Sequence, residues 1–284
     1  PKWNIYQAFT LGREFINPRP IEQKNIHNLF ADYNIGSVCY SEGINDDLNK
    51  FIWLDQDWDP KTKASKTLVD YSNLFIDCEK AEDLARGLLL LEENLQGDFE
   101  SNPSVKKAYD LWCGLEEELG PKIINNYRFK LHLLRACFDY YQQSRLPLEK
   151  AREAEALSIL SDESMILGER ISLARAALVC AKEKSHKPEL AQKINRLADE
   201  LFDLIGAQLT VSRHKAASFD RGAFVEALEI PLNDRRYILS QLEKASKLPT
   251  SDEAEKYIRE NILERTAPFE GGFYDNFGTA ESFK

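Results

Sequence analysis

The stretch Ile123-Ile124-Asn125-Asn126-Tyr127-Arg128-Phe129-Lys130-Leu131-His132-Leu133-Leu134-Arg135-Ala136-Cys137-Phe138-Asp139-Tyr140-Tyr141 decides the fold class. Ile123, Tyr127, Leu131, Leu134, Phe138 and Tyr141 recur at steps of three or four, which is one face of an α-helix. The same spacing spreads outward. Upstream it runs through Leu68, Tyr71 and Phe75, then Leu84, Leu88 and Leu91, then Val105, Tyr109 and Trp112. Downstream it predicts helices over about 148–185, 188–211, 232–245 and 251–263, the last opened by Ser251 or Asp252. Pro103, Pro121, Pro147 and Pro188 stand where helices start, because a first-turn proline gives up an N–H with no intrahelical partner. No fixed-period repeat marks an array. The expected fold is mainly α, with a large bundle of about eight to ten helices over residues 61–266.

The first sixty residues read differently. Asn17-Pro18-Arg19-Pro20 halts regular structure, since each proline removes a donor and restricts its predecessor. A helix follows from about Ile21 to Tyr33, with Ile26, Leu29, Phe30 and Tyr33 as its apolar face. Ile35-Gly36-Ser37-Val38-Cys39-Tyr40 is short, apolar and partly β-branched, and reads as a buried strand. Ser41-Glu42-Gly43 ends it. A helix then runs from about Asp46 to Asp57, capped by Asn45, with Asp46 and Asp47 where carboxylates suit the helix dipole. Helix, strand, turn, helix is the rhythm of an α/β barrel or a doubly wound sheet, and one such unit cannot close a barrel alone. Residues 1–60 are expected to be a small α/β remnant, which the resemblance described below implies is the end of a larger α/β barrel. Both termini read as cuts through a longer chain. Residues 267–284, with Gly271-Gly272-Phe273-Tyr274-Asp275, read as a loop entering a truncated β-rich segment.

Composition narrows the function. Hydrophobic residues at 43% and charged residues at 30% are ordinary for a folded domain. A balance of 37 basic against 47 acidic residues, or -10, lacks the clustered cations that a nucleic-acid backbone requires. No apolar run reaches the roughly 20 residues of a membrane helix. Cys39, Cys78, Cys113, Cys137 and Cys180 contain no Cys-x-x-Cys pair, and they read as buried apolar thiols. His27, His132, His186 and His214 lack an i+4 His or Cys partner, so no metal site is expected. Arg135 and Asp139 stand four apart, at the spacing of an intrahelical ion pair.

The motif with chemical promise is Tyr40-Ser41-Glu42-Gly43-Ile44-Asn45-Asp46-Asp47. A carboxylate at a strand end, followed by glycine and a helix, stands where barrel enzymes keep catalytic groups. Tyr40 offers an aromatic face, and Asn45 and Asp46 offer hydrogen-bonding groups suited to sugar hydroxyls. Glycoside hydrolysis ordinarily uses two carboxyl groups. Only Glu42 stands out, so its partner would lie upstream. The plainer reading keeps Glu42 as an exposed turn residue and the two aspartates as helix-start acids. Trp53 and Trp58 follow nearby, either lining a sugar pocket or packing between barrel and helices.

The run Gly36–Asn45, then Trp53 and Trp58, resembles the barrel end of the alpha-N-acetylglucosaminidase family of glycoside hydrolases. In that family a Pro-Glu-Gly-Ile step carries the nucleophile, and an all-helical domain packs beside the barrel. Here Ser41 replaces the proline, and 46–50 departs from the family pattern. Glu42–Lys50 and Gly271–Asp275 are similar to segments of large bacterial proteins of glycoside-hydrolase type. The resemblance implies Glu42 as nucleophile or stabilising carboxylate, with Tyr40, Asn45 and Asp46 shaping a substrate site. It implies a carbohydrate partner, no cofactor, packing against the rest of the barrel, and a periplasmic or secreted parent. The rival expectation is a non-catalytic helical module that binds carbohydrate or another partner.

Overall fold

A computed structural model describes residues 15–41, 43–180, 186–217 and 222–265. The described residues form eleven α-helices and no strand. In chain order these are α1 (Pro20–Phe30), α2 (Asp47–Trp58), α3 (Ala64–Phe75), α4 (Ala81–Glu93), α5 (Pro103–Leu119) and α6 (Tyr127–Leu160). After them come α7 (Leu167–Cys180), α8 (Pro188–Ile205), the single turn α9 (Val211–His214), α10 (Arg235–Ala245) and α11 (Ser251–Ile258). The mainly helical class expected from the spacing is what the chain adopts.

The helices fall into two compact units. The first holds the described parts of Phe9–Tyr141 and Glu189–Glu226. Here α1 packs on α2, α3 on α4, and α4 on α5. Leu68, Leu84, Leu88, Leu91 and Trp112 are fully buried, each leucine contributing roughly 1.5–3 kcal/mol by leaving water. Gly87 lets α4 approach the Trp112 ring, and a Cβ there would stand 3.0 Å from the indole. The connection from α4 to α5 turns on Asn102. Its amide donates to the carbonyls of Glu93 (2.8 Å) and Gln96 (3.0 Å), while its oxygen accepts from the Ser104 N–H. One side chain thus satisfies orphan groups at both helix ends. Arg135 and Asp139 do pair on α6, but in the core: both are shielded from solvent. The guanidinium also donates to the Ile16 and Leu91 carbonyls, and Asn94 donates to Asp139 at 2.7 Å. A buried charge pair survives because these partners complete its hydrogen bonding.

The second unit holds the described parts of Gln142–Pro188 and Ala227–Lys284. Its core joins Leu160, Leu178, Ile238, Leu242, Ile258 and Ile262. Arg145 and Glu149, one turn apart on α6, staple the segment before α10. Arg145 donates to the Leu228 and Ile230 carbonyls, and Glu149 accepts from the Leu232 N–H. The N-cap of α11 is Thr250, one residue before the sequence estimate, in a reciprocal capping box with Glu253.

Several expectations need correction. Pro147 does not start a helix; it lies inside α6, whose Arg145–Glu149 pair and buried Leu146 bracket it. The helix expected over 148–185 breaks at Leu160, where the Asp162 carboxylate binds the Ser164 N–H and hydroxyl and turns the chain. Residues 35–40 form no strand, and Ile35, Val38 and Tyr40 are exposed. The apolar face of α1 is exposed too, at Ile26, Leu29 and Phe30, as is Tyr33 beyond it. Cys39 and Cys78 are exposed rather than buried. The tail motif Gly271–Asp275 lies outside the described residues.

Candidate functional site

The start of α2 is anchored before any site is formed. Asp47 accepts from the Tyr71 hydroxyl (2.9 Å) and from Arg128 Nε (2.6 Å). Arg128 in turn lies over the Phe75 ring, 4.1 Å from its centroid. Burial first, then the adjacent Asp47 carboxylate, pushes the Tyr71 phenol upward, so it stays a donor. This fixes the helix that carries Trp53, Gln56 and Asp57.

Between α1, α2 and the segment 34–37 lies a cleft of about 360 Å³, lined by Phe30 and Ile35 on its apolar side and by His27, Ser37, Trp53 and Asp57 on its polar side. Asp57 is the hub. One carboxylate oxygen meets His27 Nε2 at 2.8 Å, and the other accepts from the Ser37 hydroxyl at 2.6 Å. These hydrogen bonds from His27 and Ser37 hold the Asp57 carboxyl below the usual carboxylate range. Trp53 Nε1 donates to Ser37 Oγ at 2.8 Å, and its ring meets the His27 ring edge-on at 5.1 Å. His27 Nδ1 faces Asn28 Oδ1 at 3.0 Å. The Asn28 amide nitrogen donates to Gln56 and to the Pro60 carbonyl, which orients that oxygen toward the ring.

The order of groups is Ser37, Asp57, His27. The Ser37 proton goes to the carboxylate and not to the imidazole, so the relay that activates a serine nucleophile is not formed. What the cleft offers is an indole and apolar wall beside a carboxylate, a hydroxyl, an imidazole and an amide. Apolar lining with a few converging polar groups is the usual make-up of a small-molecule site.

The sequence candidates lie alongside. Glu42 is outside the described residues. Tyr40 is 78% exposed. Asn45 and Asp46 sit in a short 3-10 turn, Ile44–Asp46, half-buried at the entry to α2. Gly43 precedes that turn with φ 96°, a conformation that L side chains rarely adopt, and Ser41 Oγ accepts from its N–H. Tyr40, Asn45 and Asp46 are not among the residues lining the cleft, whereas Trp53 is. Trp58 is exposed. His27, Ser37 and Asp57 are the groups that sequence reasoning passes over. They share no spacing, and only the fold brings them together.

Among the described residues no three His, Cys, Asp or Glu side chains gather to hold a metal ion. No described helix is long and apolar enough to cross a membrane. No protein family, curated protein or solved structure matches the chain.

Proposed function

We propose that this chain is the C-terminal portion of a glycoside hydrolase-like, carbohydrate-active protein, and that the cleft beside α2 contacts the sugar. The observation that carries the reading is the indole of Trp53 set against Ser37, Asp57 and His27 in one cleft. An aromatic wall suits the C–H face of a pyranose, and the carboxylate and hydroxyl suit its hydroxyl groups. In the sequence Glu42 directly precedes Gly43 and the Ile44–Asp46 turn that leads into the same helix. In this proposal it serves as nucleophile or stabilising carboxylate, with Tyr40, Asn45 and Asp46 shaping the approach, and the mechanism itself uses no cofactor.

The barrel belongs to the same proposal. Leu29, Tyr33 and Val38, which do not line the cleft, expose apolar surface of the kind that ordinarily marks an interaction site. Residues 1–60 are read as the end of an α/β barrel, with this surface packing on the remainder of that barrel. The test is turnover of chromogenic glycosides by the intact protein and by its Glu42→Gln variant. Loss of hydrolysis with unchanged folding supports the assignment. Hydrolysis at the normal rate removes Glu42 from the mechanism. Sugar binding without hydrolysis by either protein favours a carbohydrate-binding module.

A further inference from the structure

A second cluster lies in the first unit, where α5, α6 and α8 bring Cys113, Cys137, Tyr109 and Lys193 together. Cys113 on α5 is half-buried, and Cys137 on α6 is fully buried. The Lys193 ammonium donates to the Cys113 sulfur at 3.4 Å, and the Cys137 thiol and the Tyr109 hydroxyl are its other electrostatic neighbours. Lys193 is held there by Glu116, 2.5 Å away and one turn along α5 from Cys113. Tyr109 is held by stacking on Tyr140 at 4.3 Å.

We propose that Cys113 and Cys137 form an oxidant-reactive dithiol, in which Cys113 attacks a hydroperoxide and Cys137 then closes a disulfide onto it. In the first step the Cys113 thiolate attacks the terminal peroxide oxygen. The S–O bond forms, the O–O bond breaks, and the departing oxygen leaves as water or an alcohol after taking a proton from solvent. The sulfur is oxidised to a sulfenic acid and the peroxide is reduced. In the second step the Cys137 sulfur attacks Cys113. The S–S bond forms, the S–O bond breaks, and the hydroxide leaves as water with the Cys137 proton.

The electrostatics agree with this division of labour. The hydrogen bond from Cys137, and then the Lys193 ammonium, hold the Cys113 thiol down at about 7. The hydrogen bond to Cys113 and burial push Cys137 up, so it waits as the protonated partner. At neutral pH Cys113 therefore carries more thiolate than the roughly 3% of an ordinary cysteine.

The test treats the reduced chain with hydrogen peroxide and alkylates what remains. Mass spectrometry of the unreduced digest then reads the products. The exposed Cys39 and Cys78 serve as internal controls. The expected result is a Cys113–Cys137 cross-link formed before either control is oxidised. In a folded Cys137→Ala chain, dimedone should trap a sulfenic acid at Cys113. Lys193→Met should slow alkylation of Cys113 by roughly tenfold. Oxidation of Cys39 or Cys78 first, with Cys113 and Cys137 both still alkylated, overturns the proposal. So does a Cys113 alkylation rate no faster than that of Cys78. The wild-type cross-link decides the matter even where the variants fail to fold.

Discussion

Acid should weaken the first unit through one residue, His132. Its ring is buried in the helical core and stacks on Trp112 with centroids 5.5 Å apart, and its Nδ1 has no hydrogen-bond partner. Burial pulls the imidazole down to about 4. In the unfolded chain the same ring titrates near ~6.5. Between those two values the unfolded chain takes up a proton that the folded chain refuses. The stabilising contribution is therefore complete above about pH 6.5 and is lost as pH falls toward 4, below which both states are charged. The full loss is about 3 kcal/mol, of which roughly 2 kcal/mol falls between pH 7 and pH 5. His132→Leu removes both the titration and the orphaned nitrogen. Urea unfolding of both proteins, followed by circular dichroism at pH 7 and pH 5, isolates the effect, because all other titrating groups are shared. The wild type should lose about 2 kcal/mol more than the variant over that interval. Equal losses, or an imidazole that titrates near 6.5 by NMR in the folded protein, would refute the reasoning.

Two further outcomes follow from the same core. Arg135→Met should cost roughly 3–5 kcal/mol, because it leaves Asp139 charged and buried, and Arg135→Met with Asp139→Leu should restore most of that in urea denaturation. Gly87→Ala should destabilise by about 1–3 kcal/mol despite alanine's better helix propensity, since its methyl meets the Trp112 ring, and the red shift of Trp112 emission should appear at lower urea.

The helices were legible because their apolar residues keep a helical period and their prolines punctuate it. Pro20, Pro103 and Pro188 begin helices at the first position, as the lost N–H allows. Pro147 defeats the same rule because Arg145 and Glu149 pair across it and fasten the segment 228–232. Ile35–Tyr40 has the composition of a buried strand, but a strand needs a neighbouring ladder, and the described residues supply none. The exposed face of α1 shows the same limit: periodicity reveals an apolar stripe and not what covers it. Within the cleft, Trp53 was visible from its place after the Tyr40–Asp47 motif. His27, Ser37 and Asp57 lie ten and twenty positions apart, and no local rule joins them. The groups around Cys113 likewise come from three helices, so a reading confined to neighbouring positions finds separate cysteines.

The central claim is that the cleft beside α2 holds a sugar. The direct measurement is a titration of the intact protein with a panel of oligosaccharides, observed by the NMR signals of the Trp53 indole N–H and the His27 ring. The account predicts saturable shifts at both residues for at least one glycan, abolished in Trp53→Ala. Shifts confined to residues outside the cleft, or none with any glycan of the panel, would contradict it.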